Sequence, residues 1–406
     1  MLCNSKTGFP VFDSIESADD AKLFVLCGGG GSAKSGVANR VSLCSLGPRA
    51  DGHAGVSLVP LAHFDTEAKL ATSCCMLNAT TVVFSIENEL VVAERGQGDK
   101  NIVLVELSRL KVDQSIDLVR ACHNLILVGK ASGQVVVLEW TNGSLQKVRA
   151  LSLHLKPIVD ITPGPGALVA TASADDTVRI WNLQTGKTEH ILPSNSLANL
   201  TYRKIRFGPV RKDRPLRLFT LQVPKNRKGA SFVVVFERVQ VSKDVSTWDV
   251  VSARQVSPLL VTAMTVSADG RFVAVGSADL SVSMFDQESL APLRTMNKVH
   301  GLPVTGMFVC GSYVVSTSAD ATCAMVRVDD IGAFDIVKTI RTVISVLALL
   351  LSLFACIVVF LVASNVSGSA ARGNLLSNLA SPSSSVDLSR VSMDALSRFV
   401  VDYLSK

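Results

Sequence analysis

The 406-residue sequence predicts an all-β fold, a seven-bladed β-propeller, followed by one apolar helix. Three observations lead there. Short apolar strands recur in pairs along most of the chain. The triplet Ser-Ala-Asp begins at Ser173, Ser277 and Ser318, each time between two such strands. Beyond these lie residues 342–363, 22 positions without a charge, enough to cross a bilayer of roughly 30 Å as a helix.

The first element is the least ordinary. Residues 23–26 read as a short buried strand, followed by Gly28, Gly29, Gly30 and Gly31, then the loop Ser32-Ala33-Lys34-Ser35-Gly36. Residues 37–46 read as a returning strand. Consecutive glycines serve where the backbone takes positive φ or approaches something closely. A tight hairpin of small residues is one reading. A phosphate-binding loop is another, but Ala33 replaces its last glycine, and a β-branched alternating run follows where that loop needs a helix.

Further strand pairs follow in order. Residues 81–85 pair with 89–93, 125–129 with 134–140, and 168–173 with 177–181 across the turn at Asp175. A looser pair spans 216–237 around a turn at 224–229. The last two are 272–277 with 281–285 and 313–318 with 322–328. From Leu125 to Leu168 is 43 residues, and from Phe272 to Tyr313 is 41, the period of WD-type repeats that each form one four-stranded blade. In each unit the turn aspartate accepts backbone hydrogen bonds. His154 and His300 precede the Asp175 and Asp320 units at the distance of the His-Ser-Asp-Trp set of such blades. Trp181 completes the first set, and Val326 stands in its place in the second. With the glycine hairpin and the 81–93 pair the count reaches seven. Residues 9–12 are expected to supply the outer strand of the last blade, closing the ring and removing free sheet edges. The propeller is then one domain, residues 1–330.

Composition limits the function classes. Forty Lys and Arg against 34 Asp and Glu leave a formal charge of +6, modest for this length, which does not demand nucleic acid. The nine cysteines form no CxxC pair and suit reduced thiols in a cytosolic domain. Six scattered histidines form no HExxH zinc motif. Ten Lys and Arg lie between Arg203 and Lys228 against one acid, Asp213. Solvated loops, a nucleic-acid patch and attraction to an anionic membrane face are three readings of that stretch.

The N-terminus lacks a signal-peptide core. Lys338 and Arg341, in a linker spanning 331–341, precede the apolar run, and the next charge is Arg372. The basic flank puts the propeller in the cytosol and the tail, 364–406, in the lumen. That tail ends in an apolar pattern at helical spacing, Leu388 to Tyr403, which suits a membrane-surface helix or self-association.

A propeller opening with Gly-Gly-Gly-Gly-x-x-Lys-x-Gly, residues 28–36, and ending in a single span resembles the endoplasmic-reticulum exchange factors that start COPII coats, the prolactin regulatory element-binding protein family. The resemblance implies guanine-nucleotide exchange on a Sar-family small GTPase, without enzyme chemistry of the chain's own. It implies a loop, residues 30–39, that engages the GTPase and is ordered by a potassium ion. Backbone carbonyls of Gly30, Gly31, Ser32, Ser35 and Gly36 would hold the ion. Ser32, Ala33, Lys34 and Asn39 would be the residues acting on the GTPase. It further implies a single-pass protein of the endoplasmic-reticulum membrane with no nucleic-acid partner. A membrane-tethered scaffold without exchange activity is the alternative.

Overall fold

The computed structural model describes residues 2–31, 35–49, 54–97, 102–192, 199–242 and 245–328, with 352–354 and 356. In chain order β1 (Leu2–Lys6) comes first, then four strands that form one blade: β2 (Val11–Glu16), β3 (Leu23–Gly28), β4 (Asn39–Pro48) and β5 (Val56–Glu67). The second blade is β6 (Ala71–Met76), β7 (Thr81–Ile86), β8 (Glu89–Gln97) and β9 (Ile102–Lys111). The third is β10 (Ile116–Cys122), β11 (Leu125–Lys130), β12 (Val135–Thr141) and β13 (Ser144–Leu151). The fourth is β14 (Ile158–Pro163), β15 (Leu168–Ser173), β16 (Val178–Asn182) and β17 (Thr188–Leu192). Blade five is β18 (Leu200–Phe207), β19 (Arg217–Pro224), β20 (Ser231–Ser242) and β21 (Val245–Ser257). Blade six is β22 (Val261–Val266), β23 (Phe272–Ser277), β24 (Val282–Asp286) and β25 (Pro292–Met296). Blade seven is β26 (Val304–Cys310), β27 (Tyr313–Ser318) and β28 (Thr322–Arg327), with β1 as its outer strand.

Leu2 pairs with Val326 and Lys6 with Thr322, so the chain's first strand closes the ring on its last blade. This corrects the expectation that residues 9–12 are that outer strand. Val11 opens the innermost strand of the first blade instead, opposite Gly28. The apolar residues Phe9 and Val11 are buried in the cluster between blades seven and one, which also holds Phe24 and Phe308, their rings 5.0 Å apart.

Each interface between neighbouring blades has its own aliphatic cluster, giving seven around the ring. This explains why second strands such as β7, β15 and β23 are buried at every position: a blade lies on both faces. Outer strands such as β13 are largely exposed. Close stacking also dictates small residues. A Cβ on Gly276 would press on Val304 Cβ of the next blade at 2.7 Å.

The nine cysteines are free, eight of them buried. The propeller lies in one compact unit, Met1–Gly332; a second unit is Ala333–Lys406. Of the latter, residues 352–354 and 356 are helical, and no described helix is long and apolar enough to cross a membrane. The expected span at 342–363 falls almost wholly outside the described residues, as do the linker at 331–341 and the tail at 364–406.

Candidate functional site

In each blade the connection entering the first strand and the turn between the second and third strands share one face of the ring. The glycine loop, joining β3 to β4, therefore stands on the same face as the Ser-Ala-Asp turns. Its base is built from backbone that admits no side chains. A Cβ on Gly28 would collide with the Pro10 carbonyl oxygen, and Gly29 N–H donates to that same oxygen at 2.9 Å. Gly29 has φ +146°, and a Cβ there would run into Asn39. One on Gly30 would strike Ser35 Oγ and approach Val37 Cβ at 2.8 Å, so the two limbs of the loop touch. Gly31 and Gly36 are needed for a different reason. Both have positive φ, +80° and +69°, in open space.

Asn39 holds this loop. It is 2% exposed, the first residue of β4, and its amide faces the backbone of Gly31. Gly31 N–H donates to Asn39 Oδ1 at 2.9 Å, and Asn39 Nδ2 donates to the Gly31 carbonyl at 2.8 Å. The same Nδ2 donates to the Glu67 carbonyl at 2.9 Å, tying in the end of β5. Beyond it Ser35 Oγ accepts from Val37 N–H at 3.2 Å, and residues 35–38 are exposed. Of the loop residues singled out from the sequence, Gly30 meets Ser35 and Gly31 meets Asn39, while Gly36 stands in open space next to Ser35. Ser32, Ala33 and Lys34 lie outside the described residues.

The turns on this face are fixed as their aspartates predict. In the fourth blade Asp175 accepts from Thr177 N–H and Leu155 N–H, both at 3.0 Å. His154 Nδ1 lies 3.0 Å from Asp175 Oδ2, and its Nε2 lies 2.8 Å from Thr171 Oγ1. Trp181 Nε1 donates to that same hydroxyl at 2.8 Å, so Thr171 occupies the serine place of the set. Burial alone would raise the Asp175 pKa, but the bonds from Thr177, Leu155 and His154 outweigh it and hold it at about 2. Burial pushes His154 below its ordinary value, against the pull of Asp175. In the seventh blade His300 reaches Ser316 Oγ and Thr322 Oγ1 at 2.8 and 2.6 Å, and buried Val326 supplies no donor.

The basic stretch 203–228 does not form one patch. Lys204 and Arg206 line the central channel, where buried Asp160 accepts from Arg206 at 2.6 Å and from Ile205 N–H at 2.8 Å. Arg211, Arg214 and Arg217 surround Glu288, and Lys225 pairs with Asp176 at 2.7 Å. A second channel pair, Asp13 with Arg120 at 2.8 Å, is shared with Ser73. Burial would raise both acids, but the facing cations hold each below its ordinary value. Sequence reading misses these pairs, because nothing local marks an inner strand whose polar residues meet across a channel. Among the described residues no group of three His, Cys, Asp or Glu is placed to hold a metal ion.

Residues 145–182 and 255–286 match the WD domain, G-beta repeat family. Each match begins in the outer strand of one blade and ends with the third strand of the next. The chain is similar to guanine nucleotide-exchange factor SEC12 of Rattus norvegicus, 29% identical over 189 residues, covering 45% of this chain and 44% of that protein. It is also similar to THO complex subunit 3 of Arabidopsis thaliana, 32% identical over 39% of this chain and 57% of that one. The chain thus matches less than half the length of the exchange factor. Sqt1 from Chaetomium thermophilum, with a TM-score of 0.56 at 14% identity over 80% of this chain and 100% of that one, shares the fold.

Proposed function

From a WD-repeat ring similar to SEC12 exchange factors, we propose that this chain is a guanine-nucleotide exchange factor for a Sar-family small GTPase. It would act at the endoplasmic-reticulum membrane, where COPII coats begin, with residues 342–363 as its anchor. The observation that carries the reading is the glycine loop between β3 and β4. It rises on one face of the ring and is gripped at its base by Asn39. A plain hairpin needs neither four glycines in a row nor a buried amide holding one of them.

Exchange requires no proton transfer by the chain. A partner that binds the nucleotide-free GTPase better than the GDP-bound form shifts the population toward release. In this reading Ser32, Ala33 and Lys34 engage the GTPase, and Asn39, being buried, acts as a positioning residue. A potassium ion would suit the loop through the carbonyls of Gly30, Gly31, Ser32, Ser35 and Gly36, since hard cations take oxygen ligands. The donor set fits. The contact of Gly30 with Ser35 and Val37 closes the two limbs into a cradle that a Cβ would fill. Bound there, the ion would supply positive charge to the carbonyl oxygens that hold it.

The experiment is GDP release from a Sar-family GTPase with and without the full-length chain. Acceleration supports the reading. Binding without acceleration favours a tethered scaffold.

A further inference from the structure

Each of the seven inner strands carries one register shift, at its second residue in all but β18. The second residue lies on the loop's face of the ring. The extra residue of such a bulge is left unpaired. In the first blade it is Phe12, 40% exposed, and its backbone nitrogen lies 3.1 Å from where a Gly28 Cβ would sit. An exposed aromatic therefore stands directly beneath the root of the glycine loop. The next two blades in one direction continue it. Leu302 precedes β26 of blade seven and Leu259 precedes β22 of blade six, 47% and 44% exposed.

All three sit on pinned backbone. Thr305 Oγ1 donates to the Val11 carbonyl at 2.7 Å, Ser318 Oγ to the Leu302 carbonyl at 2.9 Å, and Ser231 Oγ to the Leu259 carbonyl at 2.9 Å. In the other direction the next two blades are polar there and their charges answer one another, and the next exposed apolar residue on this face is Leu155, 86% exposed, ahead of β14 in blade four. Lys69 pairs with Glu87 at 3.2 Å, and Lys130 pairs with Asp113. Exposed apolar side chains on backbone already held in place can be covered by a partner at little further ordering cost.

We propose that Phe12, Leu302 and Leu259 form a second, apolar contact for the same GTPase that the glycine loop engages. The inference rests on the proposed function. A stable protein partner covers roughly 800 Å² of each surface. A loop of about ten residues cannot supply that alone, so a GTPase seated on it must also cover neighbouring blades. The apolar arc lies over blades one, seven and six, which sets the side toward which the GTPase leans. Loop and arc would divide the work. The loop displaces nucleotide, and the arc contributes affinity without touching the nucleotide.

The test titrates full-length chain against GTPase carrying fluorescent GDP, with direct binding to nucleotide-free GTPase measured in parallel. Phe12→Ala and Leu302→Asp together should raise the half-saturating concentration at least tenfold and leave the maximal release rate unchanged. Leu259→Asp, on an exposed turn, should act in the same sense if the double variant folds poorly. Leu293→Asp, equally exposed on the outer strand of blade six, should change nothing. Folded arc variants that bind and saturate like the wild type overturn the arc and leave the exchange reading standing. Wild-type chain that does not bind the GTPase overturns both. Wild-type chain that binds without exchanging still tests the arc through the binding constant.

Discussion

Asn39 and Gly31 are joined by a two-way amide pair, with Gly31 N–H on Asn39 Oδ1 at 2.9 Å and Asn39 Nδ2 on the Gly31 carbonyl at 2.8 Å. One buried side chain thus decides how the loop leaves the sheet. Asn39→Ala removes these two bonds and the one to Glu67, at a cost of about 1–3 kcal/mol given that water can reach part of the freed backbone. The propeller should stay folded, with a slightly lower melting temperature. GDP release should fall at least tenfold. Asn39→Asp should fail similarly, since a carboxylate cannot donate to the Gly31 and Glu67 carbonyls. Thermal melting and exchange rates on one preparation check both.

Thr171 is the shared partner of His154 and Trp181. Thr171→Val keeps the volume and leaves two buried ring nitrogens without a partner, a loss of about 1–3 kcal/mol each. Ser316→Ala in blade seven strands His300 alone, because Val326 brings no indole, and should cost less. Denaturant melts of the two variants would rank them. Equal losses would contradict the shared-acceptor account.

The buried histidines set a pH dependence. Burial lowers the pKa of both His154 and His300, the aspartates opposing it. An unfolded chain therefore binds more protons just below the ordinary value of 6.5, and stability falls as pH drops through that value. Asp175, held at about 2, adds stability that is present above 3.8 and lost only between there and pH 2. Melting temperature should decline from pH 7 to 5, and His300→Gln should flatten part of that decline. A decline on raising the pH from 5 to 7 would contradict the sign.

Potassium is the next test. If the loop's carbonyls hold that ion, replacing it with sodium or lithium at equal ionic strength should slow exchange by the wild-type chain. Lys34→Ala removes a charge and no carbonyl, so it should weaken GTPase binding and keep the salt effect. Equal exchange rates in all three salts would remove the ion from the account.

Much of the ring is legible in the sequence, because its signals are local. The Ser-Ala-Asp turns, the 41–43-residue steps and the Thr171–Trp181 region announce blades through hydrogen bonds made within one unit. The closing strand is not legible in the same way. Leu2–Lys6 and Val11–Glu16 are both short and mix apolar with polar residues, and only pairing with Thr322–Val326 separates outer from inner. The importance of the glycine run is visible, but the grip of Asn39 is not. An asparagine at a strand start reads as turn chemistry until the chain folds Gly31 back onto it. The bulge that exposes Phe12 has no sequence signature, since it is defined by register against β3.

The central claim is that the glycine loop is a lever on the GTPase rather than a turn. Gly31→Val tests it most directly. Gly31 has φ +80° and no atom of a described residue within 4 Å of the place a Cβ would take, so the variant meets backbone strain of about 1–3 kcal/mol. The measurement is GDP release from a Sar-family GTPase by full-length wild-type and variant chains, with melting temperature as the folding control. The account predicts acceleration by the wild type and its loss in a variant that is still folded. A folded Gly31→Val chain exchanging at the wild-type rate would contradict it.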